Sequence, residues 1–166
     1  MKLFDPLHIR LSSLKSYTSI LDLMKLNNIH DYVYWFSTDQ EILKYGESAN
    51  AIGPVGERVY RQAGHLAGWH AQLDVNTSGK DMRDIAADYR AKHGVELNRN
   101  DVTLHIINLT SCANPKFECE RLERNLIDKH IELFGHPPIG NKDYQTKFAH
   151  RRHKNEKLLE NFVEFV

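Results

Sequence analysis

Cysteine is nearly missing from this chain: Cys112 and Cys119 are the only two in 166 residues. Their spacing matches no common zinc-binding pair, and no second pair exists to complete a four-ligand site. They read as buried, reduced thiols, which suits a cytosolic location. Long apolar runs are missing as well, so no segment has membrane-spanning length. The opening MKLFDPLHIR has no apolar stretch of the kind that forms a signal peptide. These absences point to a cytoplasmic protein with no membrane partner. Neither an internal repeat nor a low-complexity stretch occurs, and the length suits one domain with extensions.

Net charge is also missing, since 22 Lys and Arg balance 22 Asp and Glu. The charge is unevenly spread, however. Between His136 and Lys157, six basic residues (Lys142, Lys147, Arg151, Arg152, Lys154 and Lys157) face two acids (Asp143 and Glu156), leaving that segment at +4. A polyanion-facing surface has this asymmetry, and so does a solvated helix face.

Helical spacing of Leu14, Tyr17, Leu21 and Met24 behind Ser12 and Ser13 predicts an N-terminal helix over about 13–27. From Asp31 the pattern changes to Tyr32-Val33-Tyr34-Trp35-Phe36, a polar turn at Ser37-Thr38-Asp39-Gln40, and Glu41-Ile42-Leu43-Lys44-Tyr45 ending at Gly46. Aromatic and β-branched residues flanking a polar turn predict a β-hairpin. Pro54 opens a predicted helix to about Trp69, and a second predicted helix covers about Lys80 to His93 before Gly94. Asp101 to Leu109 alternates as a strand, and Pro115 opens a long helix to about Phe134, stopped by Gly135, Pro137 and Pro138. A last amphipathic helix carries Leu158, Leu159, Phe162 and Val163. The order implies an α+β class with a small central antiparallel sheet flanked by helices.

In the long helix, Cys119, Leu126, Ile127, His130 and Phe134 form one apolar stripe, and Glu123 projects from its centre. A carboxylate aimed at a core is costly unless a cation or metal compensates it, which a buried salt bridge to Arg or Lys also does. In the helix after Pro54, Arg58, Gln62 and His65 share one polar face opposite Val59, Ala63 and Leu66. Such a face meets solvent or, through the arginine fork, a phosphate.

Together these residues resemble the GIY-YIG nuclease family. Tyr32-Val33-Tyr34 resembles the first triplet of its signature, and Lys44-Tyr45-Gly46, followed by Glu47-Ser48, resembles the second. A helical arginine (Arg58), a helical glutamate (Glu123) and a closing Pro137-Pro138-Ile139-Gly140-Asn141 follow in the family's order. Lys44 in place of the second tyrosine, with that tail, is most similar to the GIY-YIG type II restriction endonucleases. Tyr32 in place of the first glycine, a longer loop from Gly46 to Arg58, and an apparent insertion over about 68–100 depart from the pattern. The resemblance implies a nuclease domain over 31–145, between an N-terminal helical extension (1–30) and a basic C-terminal helix (146–166).

It further implies a divalent-metal-dependent endonuclease acting on DNA, of restriction or phage and mobile-element type. Glu123 is then the ligand of Mg²⁺ or Mn²⁺. Tyr34 is the base that orients or deprotonates water, and Lys44 helps to lower its pKa, because a phenol at about 10 is a poor base at neutral pH. Arg58 stabilises charge on the phosphorane. Tyr60, Gln62 and His65 are supporting donors, and Asn141 fixes local backbone near the site. Lys142, Lys147, Arg151, Arg152 and Lys154 are expected on DNA phosphates. Tyr34 and Lys44 must share a sheet face, and the expected register pairs Tyr34 with Lys44 and Phe36 with Ile42 across a five-residue connection, Ser37 to Glu41. Tyr34, Arg58 and Glu123 are expected to line one pocket.

Two further readings stand beside this one. A non-catalytic nucleic-acid-binding module would keep the fold and the basic tail. An interaction domain would use the apolar C-terminal helix, which also offers a homodimer surface. The ten histidines include no His-Glu-x-x-His and no paired ligand spacing, which disfavours structural zinc.

Overall fold

The hairpin forms where the aromatic and β-branched residues cluster. In the computed structural model, which describes residues 5–14, 18–49 and 77–142, strand β2 covers Asp31–Ser37 and strand β3 covers Ile42–Ala49. Strand β4, Thr103–Asn108, pairs with the other side of β2, and a short strand β1, Leu7–Arg10, pairs with β4. The result is a four-stranded antiparallel sheet in the order β1-β4-β2-β3. Strand β1 corrects the expectation of a purely helical N-terminal extension. Its residues alternate, with Ile9 and the following Leu11 buried and His8 and Arg10 exposed, but over only four residues, and it is fixed by partners about a hundred positions away.

Helix α1, Thr18–Leu26, starts later than the predicted 13, because Leu11–Ser13 form a 3-10 turn and Leu14 is extended, so Ser12 and Ser13 do not cap it. Helix α2, Thr77–His93, starts three residues before the predicted Lys80. Helix α3, Pro115–Phe134, has both ends written in its sequence. The Asn114 side chain accepts from Phe117 N–H, Pro115 stands at the first turn, and Gly135 closes the helix at φ 80°.

Strand alternation sorts the core into two layers. Tyr32, Tyr34 and Phe36 face one side with Leu104 and Ile106, beneath Ile20 and Met24 of α1 and Ile85 and Tyr89 of α2. Val33 and Trp35 face the other side with Tyr45 and Ile107, and pack on Cys119, Leu122, Leu126 and Ile127 of α3. Helix α2 therefore contributes to the main core, although it falls within the stretch that resembles an insertion. The buried stripe of α3 includes Leu122 and Asn125 but ends at His130, and Phe134 is exposed. This corrects the predicted stripe: the last turn of α3 runs beyond the part of the sheet it covers.

The register also needs correction. Tyr34 lies opposite Gly46, Phe36 opposite Lys44 and Ser37 opposite Ile42. The connection is Thr38 to Glu41, and Leu43 is the extra residue of a bulge between the Phe36 and Ser37 pairings. Without the bulge, a connection this short would turn Lys44 to the α3 side. The bulge absorbs one residue, so Lys44 returns to the Tyr34 face, two positions from the expected pairing. Leu43 is fully buried on that face, which gives the bulge an apolar reason to form.

Candidate active site at the edge of β3

Strand β3 is an edge strand among the described residues, and three features converge on it. The first is Gly46. A Cβ at this position would collide with the terminal ring carbon and hydroxyl of Tyr34. The Tyr34 ring therefore lies across β3 on the bare glycine backbone, with its hydroxyl above the edge strand. The whole Tyr34 side chain, hydroxyl included, is buried, 1% exposed, with its ring against Tyr32 and Phe36.

The second feature is Asn141. Its Oδ1 accepts from the Tyr45 N–H at 2.9 Å, and its Nδ2 donates to the Tyr45 carbonyl at 3.1 Å. The side-chain amide thus takes the place of a neighbouring strand's peptide group on the outer edge of β3. The segment carrying it fits tightly: a Cβ on Gly140 would lie 2.7 Å from Lys44 Cβ and 2.9 Å from the Leu43 carbonyl, and would also meet Ile85 of α2. Ile139 packs on the α2-side core. The Pro-Pro-Ile-Gly-Asn tail therefore holds β3 and α2 together beside Lys44.

The third feature is the carboxylate group on the α3 side. Glu47 lies opposite Val33 and so faces α3, in the middle of which Glu123 is partly buried. Burial first, then the charges of Glu47, Asp31 and Glu123, push the Cys119 thiol far above its usual range. Cys119 is inert as a nucleophile, and it reports an anionic field along the α3–β3 seam. Burial also raises the Tyr45 phenol, so Tyr45 is no base, and its hydroxyl has no hydrogen-bond partner among the described residues.

The structure brings Tyr34 and Lys44 to one face and places Asn141 beside them. Glu123 belongs to the layer on the opposite face, so it can share a site with Tyr34 only around the edge of β3. Arg58, Tyr60, Gln62 and His65 lie outside the described residues, as do Lys147, Arg151, Arg152, Lys154 and the C-terminal helix. Lys142 pairs with Asp88 of α2 at 3.7 Å, both half-exposed. A pair of that exposure contributes at most about 1 kcal/mol, too little to keep Lys142 from a phosphate. Gly46 and Glu47 are the residues that sequence reasoning passed over, as a motif terminus and a loop start. The signal for both was parity: Glu47 shares the face of Tyr45, and Gly46 that of Lys44.

Among the described residues, no group of three or more His, Cys, Asp or Glu is disposed to hold a metal ion, and no helix is long and apolar enough to cross a membrane. No protein-family model, curated protein or solved structure matches the chain.

Proposed function

We propose that this chain is a GIY-YIG-like endonuclease of restriction or phage type, which hydrolyses phosphodiester bonds in DNA with Mg²⁺ or Mn²⁺ at Glu123. The observation that carries the reading is the Tyr34 phenol laid over Gly46, with Lys44 on the same face and Asn141 locking the backbone between them. Aromatic rings also cover strand glycines for packing alone; what favours a site here is the cation of Lys44 on the same face beside that ring.

The residues fit the ion in kind. Mg²⁺ keeps several waters and binds through one or two carboxylates plus a substrate phosphate, so a three-residue cage is not required. The anionic field of Glu47, Asp31 and Glu123 at Cys119 is the environment such a cation compensates. When bound, the ion supplies Lewis-acid stabilisation to a phosphate oxygen and to the leaving oxygen.

The chain's own residues supply the rest. The Tyr34 hydroxyl orients the attacking water and takes its proton. Lys44 favours the phenolate as a nearby positive charge. Arg58 meets the charge that builds on the phosphorane. Asn141 keeps β3 from fraying, which holds Lys44 in register with Tyr34.

Supercoiled plasmid incubated with the protein and Mg²⁺ is expected to be nicked, and EDTA to stop the reaction. DNA that is bound yet stays intact in both Mg²⁺ and Mn²⁺ would instead identify the non-catalytic binding module. Replacing Arg151, Arg152 and Lys154 together by Gln is expected to weaken binding to every DNA sequence alike. It should also lower the slope of log K against log salt by up to about 3, one released counterion per lost phosphate contact. An unchanged slope in a fluorescence-anisotropy titration would make the basic run a solvated face.

A further inference from the structure

On the α3 side of the sheet, away from Tyr34, three rings form a row across β2, β4 and β1. Trp35 stacks on His105 with centroids 4.8 Å apart and planes within 12°. His105 meets His8 edge-on, also at 4.8 Å. The row follows from register, because Trp35 lies opposite His105 and His105 opposite His8. Two residues beyond Trp35, Ser37 shares its face, and its Oγ lies 2.7 Å from His105 Nε2. On the far side of the same imidazole, His105 Nδ1 lies 2.5 Å from His8 Nδ1. Ser37 and His105 line a cleft of about 370 Å³ together with Gln40, Ile42, Lys92 and Phe134.

We propose that Ser37, His105 and His8 form a nucleophile–base–orienter relay, giving the protein a second, acyl-transfer activity toward short-chain carboxylic esters that enter this cleft. Two imidazole nitrogens this close share one proton. With His105 Nδ1 as its donor and His8 Nδ1 as acceptor, Nε2 of His105 is left with a lone pair and accepts from the Ser37 hydroxyl. Stacking on Trp35 fixes the ring plane in that alignment.

In the first step, Ser37 Oγ bonds to the ester carbonyl carbon as its proton passes to His105 Nε2. Collapse of the tetrahedral species breaks the bond to the alkoxy oxygen, and the alcohol leaves with that proton. Water then attacks the acyl-serine, His105 takes a proton from it, and the acid departs as the proton returns to Ser37. Gln40 is the lining donor for the carbonyl oxygen as it becomes negative, Lys92 stands at the cleft paired with Glu41 at 2.7 Å, and Ile42 and Phe134 give the acyl chain an apolar wall. Burial first, then the neighbouring His8, lowers His105 to about 4. The imidazole is therefore neutral throughout the neutral range, and its protonated form arises only transiently, as the Ser37 proton passes through it.

The test is phosphonylation by an alkyl fluorophosphonate, read by peptide mass spectrometry and independent of any nuclease activity. In the wild-type protein the probe is expected on Ser37. Ser37→Ala is expected to abolish labelling of that peptide, and His105→Gln to slow Ser37 labelling about 100-fold, the usual scale of a lost general base. An unlabelled Ser37 in the wild-type protein overturns the proposal, as does a rate unchanged by His105→Gln. If His105→Gln does not fold, His8→Ala decides: loss of the orienting imidazole is expected to slow Ser37 labelling about 10-fold or more, and an unchanged rate overturns the relay.

Discussion

Glu123→Gln is expected to abolish DNA cleavage while leaving DNA binding intact. The substitution nearly preserves shape and removes the charge that would hold a divalent cation. The lysines and arginines expected on phosphates are unaffected, so affinity survives. It is expected to rise slightly, because a carboxylate facing a phosphate without its metal is repulsive, by about 1 kcal/mol for a close pair in water. A purely structural role predicts a different pattern. If Glu123 serves only a buried ion pair, removing its charge leaves the partner uncompensated and destabilises the fold by roughly 3–5 kcal/mol. Activity would then fall only as the protein unfolds, and thermal denaturation would reveal it. Since Glu123 is partly buried rather than enclosed, the structural loss belongs at or below the lower end of that range. The measurement is a plasmid-nicking time course beside a thermal melt of the same preparation. A stable variant that cuts at the normal rate would remove Glu123 from the mechanism and, with it, the ion site.

Much of this architecture can be read from local chemistry, and the part that cannot has a common cause. Helix α3 is legible to the residue because Asn114, Pro115 and Gly135 mark its ends. Tyr34 and Lys44 are legible as one face of a hairpin, since parity survives a two-residue shift. The shift itself is not legible: the bulge at Leu43 carries no glycine or proline, and it forms because a buried leucine is favoured on the α2 side. Strand β1 is hidden for a similar reason: its alternation spans only four residues, and its pairing partner lies about a hundred positions away. Which face a helix covers is a tertiary matter. The stripe on α3 predicts that Glu123 points inward, but not that it points at the side of the sheet opposite Tyr34. The site is therefore half legible: its residue types follow from the sequence, while its placement across the β3 edge depends on packing between layers.

That dependence makes Asn141 the residue whose replacement is expected to cost the fold most within the site. Tyr45 is buried, and its outward N–H and C=O on the edge strand find both partners in one side-chain amide. Asn141→Ala removes both partners at once. An unsatisfied buried polar group costs about 1–3 kcal/mol. Partial hydration of an edge strand softens this, and a loss of roughly 2–4 kcal/mol in urea unfolding is expected. Asn141→Asp separates the two bonds. The carboxylate can still accept from the Tyr45 N–H, but its second oxygen replaces a donor with a negative acceptor facing the Tyr45 carbonyl. The aspartate variant is therefore expected to be at least as unstable as the alanine one near neutral pH, despite its closer shape. Acidification should then recover part of the loss, because a protonated carboxyl donates again and restores the second bond. A clamp with only a steric role predicts the reverse order, with aspartate the better tolerated and no recovery at low pH. Equilibrium unfolding of both variants at two pH values, each compared with wild-type at the same pH, distinguishes the two. Both variants should also lose nicking activity by more than their folded fraction explains, because a β3 edge that is no longer pinned at Tyr45 releases Lys44 and Gly46 on either side of it.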